Sequence, residues 1–354
     1  MSREVDAIII GGGLAGANLA LSFLNKGISC AVFDKEDLES ASYVASGIIN
    51  PITGRRFVKT WLYDQLKEYF IPYYSTWEDR WQVSFFNEVN IFRSIPDNKL
   101  VNDLDAKLAD PDYAMYCRPM EASEGEFLRQ KINFQLPGYV FFGYQVNTSI
   151  FLENARDYIT ENAFWINDKI SLDSVNSTNG KYKIKDFYSK RLILACGAQA
   201  LDSSWFNWAG LNPNRGEVLK ITSNIPQLSD LIKQKIFLVP ESQNQYWVGS
   251  YSTWAPSTEK ASEEGKNYLI RHLKNLIGLD YRIDNHLAAF RPAITDRRPV
   301  IGEHPQKNGL YAFNGFGSKG TSLIPYFADH FYNYLFDGKP LAEEVDVARY
   351  WSSN

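Results

Sequence analysis

Cysteine is scarce in this chain of 354 residues: Cys30, Cys117 and Cys196 are the whole supply, and none belongs to a C-x-x-C pair. Three thiols cannot make the disulfide framework that holds small extracellular domains together, so the expectation is a core-stabilised protein of a reducing compartment. Histidine is equally sparse. His272, His286, His304 and His330 are not spaced to join a cysteine, and the set lacks the ligand pattern of a zinc or iron–sulfur centre. There is no basic excess, since 37 Lys and Arg face 41 Asp and Glu for a net charge of −4. That balance argues against a dedicated nucleic-acid binder. No run of about 20 apolar residues exists to span a bilayer, and residues 1–6 lack a secretory leader layout. A soluble, cytoplasmic protein with no membrane partner is expected.

What is abundant is apolar. Hydrophobic residues make up 45%, aromatic residues 15% and charged residues 22%, which excludes disorder as the main state. The length suggests about two domains. No repeat, low-complexity tract or Pro/Gly/Ser-rich linker divides the chain.

The N-terminus is the most readable part. A β-branched run, Ala7–Ile10, predicts a buried parallel strand. It enters Gly11-Gly12-Gly13-Leu14-Ala15-Gly16 and then a helical pattern over 17–25 that Gly27 is placed to end. A second apolar run, 30–33, is closed by Asp34, completing a βαβ unit. In Gly11-x-Gly13-x-x-Gly16 the first glycine permits the tight turn and the second lets backbone approach a pyrophosphate. The third lets helix and strand pack closely. The helix N-terminus offers free amides and a positive dipole end. Asp34, 18 residues after Gly16, stands where a carboxylate accepts a ribose hydroxyl. The bland reading is a glycine-rich turn with no ligand.

Further along, helices are expected over 61–74, 149–160, 262–277 and 321–335. Strands are expected over 89–93, 139–142, 163–170, 182–187, 191–195, 236–239, 246–251 and 309–314, with Asn179-Gly180 a turn. Strand–Gly–helix units therefore stand at both ends, with antiparallel-looking material between them. This predicts two interleaved domains rather than two in series. His304 reads as a surface turn residue.

Four more stretches carry information. Residues 42–51, from Ser42 to Pro51, read alone as a small-residue loop. The run Leu192-Ile193-Leu194-Ala195-Cys196-Gly197-Ala198 is a buried strand ending in glycine. The others are Arg291-Pro292-x-x-x-Asp296-x-x-Pro299-x-x-Gly302 and the loop Gly315-Phe316-Gly317-Ser318-Lys319-Gly320. With the N-terminal motif, and in this order, they resemble the FAD-dependent oxidoreductases of the D-amino-acid oxidase superfamily. Asn214-Arg215-Gly216-Glu217-Val218 and Trp247-Val248-Gly249-Ser250 look like landmarks of the same superfamily, so the resemblance spans nearly the whole chain.

The resemblance implies an α/β fold in which a Rossmann-like FAD-binding domain (1–75, 150–210, 290–354) is interleaved with an antiparallel-sheet (α+β) substrate domain (76–149, 211–289). It implies oxidation of the C–N bond of an amino acid or secondary amine by hydride transfer to flavin N5, on oxygen or another acceptor. The implied cofactor set begins with Gly11, Gly13, Leu14, Ala15, Gly16, Asp34, Lys35, Ser42, Ser46, Gly47 and Ile48. It continues with Ile170, Ala195, Gly197, Gly315, Gly317, Ser318, Lys319, Gly320 and Thr321. FAD is expected to be non-covalent, because no cysteine or histidine stands where relatives tether it. Arg291 is expected to bind a substrate carboxylate, against a bland reading as an ion pair with Asp296. Lys319 is expected to act on flavin electrostatics, against a bland reading as an exposed lysine. Tyr246 and Tyr251 are pocket candidates, against ordinary sheet packing. Residues 46–51 and 315–320 also look like the oxidoreductase half of the bifunctional enzyme that modifies the tRNA wobble uridine. That reading and a non-catalytic FAD-binding protein are the alternatives.

Overall fold

The structure, a computed structural model, describes residues 2–172, 175–202, 204–254, 258 and 260–351. Its first layer is a six-stranded sheet ordered Phe164–Asn167, Cys30–Asp34, Ala7–Ile10, Leu192–Leu194, Lys307–Asn314 and Val300–His304. All neighbours are parallel except the last pair. The central strands are apolar on both faces, as a sheet covered on both sides requires. Ile9, Val32 and Ile193 face the helices Leu14–Asn25, Tyr63–Trp81, Thr148–Asn162 and Gly320–Asp337. Ile8, Ile10, Phe33 and Leu194 face the other way, onto the small sheet of Arg3–Glu4, Phe187–Ser189, Lys181–Ile184 and Asn176–Thr178.

The second layer is a nine-stranded sheet. Its order is Tyr281–Arg291, Asn214–Ser223, Gln245–Trp254, Phe237–Ser242, Leu231–Lys233, Phe86–Ser94, Gly138–Val146 and Ile48–Ile49, with Cys117–Pro119 beside Gly138–Val146. Only Leu231–Lys233 with Phe86–Ser94 is parallel. One face, with Val218, Trp247, Ile91 and Phe141, packs toward the first domain in the main core. The opposite face, with Leu219, Val248, Phe92 and Val140, is covered by Leu269, Leu273 and Leu276 of the helix Glu263–Ile277. Those three leucines recur at helical spacing and form its apolar stripe.

Several expectations change. Residues 42–51 are not plain loop: they hold the helix Ala41–Val44 and the strand Ile48–Ile49, which pairs with Gly138–Val146 across the domain seam. Asn98–Leu108 forms a further helix where no element was expected; Asp97 caps it by accepting the Lys99 and Leu100 amides. His304 is not a surface turn residue. Strand alternation sets it on the face of Val300, where it is 6% exposed among the rings of Phe206, Trp208 and Trp351. Burial holds its imidazole below the ordinary range. No helix among the described residues is long and apolar enough to cross a membrane.

Candidate functional site

The ends of the central parallel strands converge on one loop cluster, the place where an open α/β sheet offers a crevice. Gly11 turns the chain there at φ +99°, and a Cβ on it would stand 2.6 Å from the Ala195 carbonyl oxygen. Gly16 lies against the Gly11 carbonyl inside the contact distance of any Cβ, so the helix comes this close to the strand end only because residue 16 is glycine. Ser42 reaches over the helix N-terminus and accepts the Leu14 amide at 3.0 Å. The Gly13, Ala15 and Gly16 amides have no protein acceptor among the described residues. Free amides at a positive helix end suit a pyrophosphate.

Asp34 Oδ1 accepts the Gly12 amide at 2.8 Å. Its carboxyl is pushed above the usual range, chiefly by burial and against that amide. The second oxygen is left for a further donor, as a ribose-binding carboxylate requires. Lys35 is exposed just beyond it. Ile170 lies half-buried on the loop after Phe164–Asn167, tied in by the Asp168 amide on Asp34 O at 3.0 Å. Ser46, Gly47 and Ile48 lie on the seam between the sheets: Ser46 O accepts Gln145 Nε2 at 3.1 Å, and the Val146 amide bonds Gly47 O at 3.1 Å.

A residue the sequence did not single out joins the two remaining loops. Asn314 Nδ2 donates to Gly197 O at 2.8 Å, and its Oδ1 accepts the Gly315 amide at 2.8 Å. Its available signal was a polar residue closing the apolar run 310–313 just before a glycine. Gly315 and Gly317 both adopt positive φ, and the loop then opens Gly320–Asp337. Ser318 is exposed, while the Thr321 carbonyl is fixed by the Tyr74 hydroxyl at 2.7 Å. Lys319, at the N-cap position, is not an exposed loop lysine: burial, then Arg297 and Arg298, hold its ammonium below the ordinary range. The donor set, with its free amides, one half-paired carboxylate and a cationic helix end, fits FAD.

The second sheet supplies the opposing wall. Arg291 follows Leu287 and Ala289 onto the face turned toward the first domain. Its Nη1 donates to Asn214 Oδ1 at 2.6 Å and Ser252 Oγ at 3.1 Å. The guanidinium lies across Gly216, where a Cβ would stand 2.7 Å from Nη1 and closer still to Nη2. Burial depresses its pKa. No carboxylate among the described residues is within ion-pair distance of it, and Asp296 pairs instead with Arg349 at 3.0 Å.

The two tyrosines are corrected by the sheet's geometry. Tyr246 is 1% exposed in the core beneath the helix Glu263–Ile277, on the far side of the sheet from Arg291. Tyr251 also turns that way, against the Tyr268 ring at 5.3 Å and near Glu264. The residue that faces the first domain is Trp247, whose indole N–H donates to Val44 O at 2.8 Å.

Residues 6–144 and 150–333 match the family described as FAD dependent oxidoreductase. Over 146 residues, 39% of this chain, the sequence is 27% identical to a glycine oxidase of Geobacillus kaustophilus. Over 348 residues, 92% of this chain, it is 22% identical to the tRNA 5-methylaminomethyl-2-thiouridine biosynthesis bifunctional protein MnmC of Idiomarina loihiensis. These matches span 38% and 54% of the relatives' own lengths. Among solved structures, glycine oxidase from Geobacillus kaustophilus has a TM-score of 0.80 at 19% identity, covering 99% of this chain and 98% of that one. Iminodiacetate oxidase from Chelativorans sp. BNC1 has a TM-score of 0.76 at 20% identity, covering 97% and 98%. These structural likenesses carry the fold.

Proposed function

Since the chain belongs to the FAD-dependent oxidoreductase family, we propose that it oxidises the C–N bond of an amino acid or an N-substituted amino acid. The observation that carries this reading is Arg291: a half-buried guanidinium, oriented by Asn214 and Ser252, with no carboxylate partner among the described residues. Leaving such a charge uncompensated is costly, and a substrate carboxylate on its free Nη2 and Nε removes the cost. Two relatives carry names, glycine oxidase and iminodiacetate oxidase, that describe amines bearing carboxylates.

FAD, when bound, supplies the acceptor for a hydride leaving the carbon next to the amine nitrogen. The chain's own residues prepare that event. Arg291 holds the carboxylate and so limits where the neighbouring C–N bond can stand. The cations Arg291 and Lys319 favour loss of a proton from the substrate ammonium, leaving the neutral amine that hydride release needs. Lys319 and the N-terminus of Gly320–Asp337 present positive potential, which stabilises negative charge developing beside them. FAD is held non-covalently by the glycine loops, Asp34 and the seam segment.

The purified protein should be yellow, acid should release intact FAD, and some carboxylate-bearing amine should bleach the bound flavin without oxygen. A colourless protein that FAD cannot reconstitute would overturn the cofactor assignment. A yellow protein indifferent to a broad amine panel would overturn the reaction.

A further inference from the structure

The face that carries Arg291 carries two more cations to which the proposed reaction gives no role. Alternation assigns their side. Ile91 packs toward the first domain and Phe92 away from it, so Arg93 returns to the face of Ile91. Leu231 and Ile232 divide in the same way, which brings Lys233 to the face of Leu231. The strands are parallel with Lys233 beside Arg93, and Phe237 flanks Lys233 on its other side. Lys233 Nζ lies 4.4 Å from the Phe237 ring centre, and the Arg93 guanidinium lies 4.7 Å from that of Phe57.

Each cation donates to a neutral carbonyl: Arg93 Nη2 to Gly54 O at 3.0 Å, and Lys233 Nζ to Lys235 O at 3.3 Å. Neither has an ion-pair partner among the described residues. The Cys117 thiol near Arg93 is pushed up to about 12 by burial and stays neutral. Burial depresses both cations, Lys233 to about 8 with Arg93 and Lys235 adding to the shift. Two adjacent, half-buried like charges oppose each other, and an anion seated between them would offset both penalties. In the sheet, the strand of Lys233 is four positions from that of Arg291. That is roughly 19 Å across the strands, and the register sets Lys233 level with Val218, four residues along from Asn214, the partner of Arg291, so the two backbones stand roughly 23 Å apart, a span that two long side chains shorten.

We propose that Arg93 and Lys233 form a second anion subsite, and that the amine taken by this protein carries a second carboxylate several bonds from the one held by Arg291. The proposal deepens the amine-oxidation reading and borrows from it only the nature of the ligand. The test uses ligands that cannot be oxidised. Straight-chain dicarboxylates and monocarboxylates of matching lengths are titrated into the FAD-loaded protein, with dissociation constants read from the flavin spectrum and from thermal shift. At the best length the dicarboxylate should bind at least tenfold more tightly than its monocarboxylate. K233M should bring that ratio toward one, and R93Q should act in the same direction. No length preference, or a ratio that survives K233M, would overturn the subsite; K233M alone decides if R93Q does not retain FAD. If the ratio holds but no amine bleaches the flavin, the oxidase reading falls and the subsite stands. If amines bleach the flavin but the ratio is one, only the subsite falls.

Discussion

Gly216→Ala is a sharp test of how the sheet aims Arg291. The substitution keeps every charge and adds one methyl group 2.7 Å or less from the guanidinium. Ordinary contact begins near 3.5 Å, so the guanidinium must move by on the order of 1 Å. What has to yield is the far end of a flexible side chain, so the fold should tolerate the change. The binding geometry should not. The Nη1 bond to Asn214 at 2.6 Å is what holds the fork open to a ligand, and a displaced fork loses at least one charge-assisted bond. Such a bond contributes about 1.5–3 kcal/mol, which corresponds to a roughly 10- to 140-fold weaker carboxylate complex. Dissociation constants from flavin difference spectra, with thermal unfolding in parallel, are the assay. A folded, FAD-loaded G216A that binds carboxylates like the parent would refute the assignment of Arg291.

Other expectations are independent of that one. Gly13→Glu sets a bulky anion at the helix N-terminus beside Ser42; it should abolish FAD retention while far-UV dichroism persists. Asn314→Leu strips partners from Gly197 O and the Gly315 amide. It should cost about 2–6 kcal/mol in denaturant unfolding, at about 1–3 kcal/mol per unpaired buried group, and should loosen FAD. The tight binding of dicarboxylates should depend on pH. Lys233 titrates at about 8, so it is cationic below that value and neutral above it. The advantage over monocarboxylates should be full at pH 7 and fade as the pH rises past 8, later in the complex because a bound anion raises the lysine's pKa.

The nucleotide half was legible because local rules determine it. A strand, three spaced glycines, a helix and Asp34 each follow from short-range sterics, and the structure ties them together through Gly12 and Ser42. The substrate half was less legible because its meaning depends on which face a strand turns inward. The pairing of Asn214–Ser223 with Gln245–Trp254 shifts register between Glu217 and Val218. Plain alternation would part Tyr246 and Tyr251, five residues apart, whereas that shift leaves both on the face beneath the helix Glu263–Ile277. Lys233 escaped because Leu231–Lys233 is only three residues long, too short to show a period. His304 was misread for a related reason: a proline- and glycine-bearing segment suggested a turn, whereas Val300–His304 completes the sheet through tertiary pairing with Lys307–Asn314.

The central claim is that a carboxylate-anchored amine reduces the flavin. The most direct measurement is an anaerobic titration of the FAD-loaded protein with an N-substituted amino acid and with its decarboxylated amine, followed at the flavin's visible band. The account predicts stoichiometric bleaching by the amino acid and little or none by the amine alone, with the difference erased in R291A. Equal bleaching by both compounds, or by neither, would contradict it.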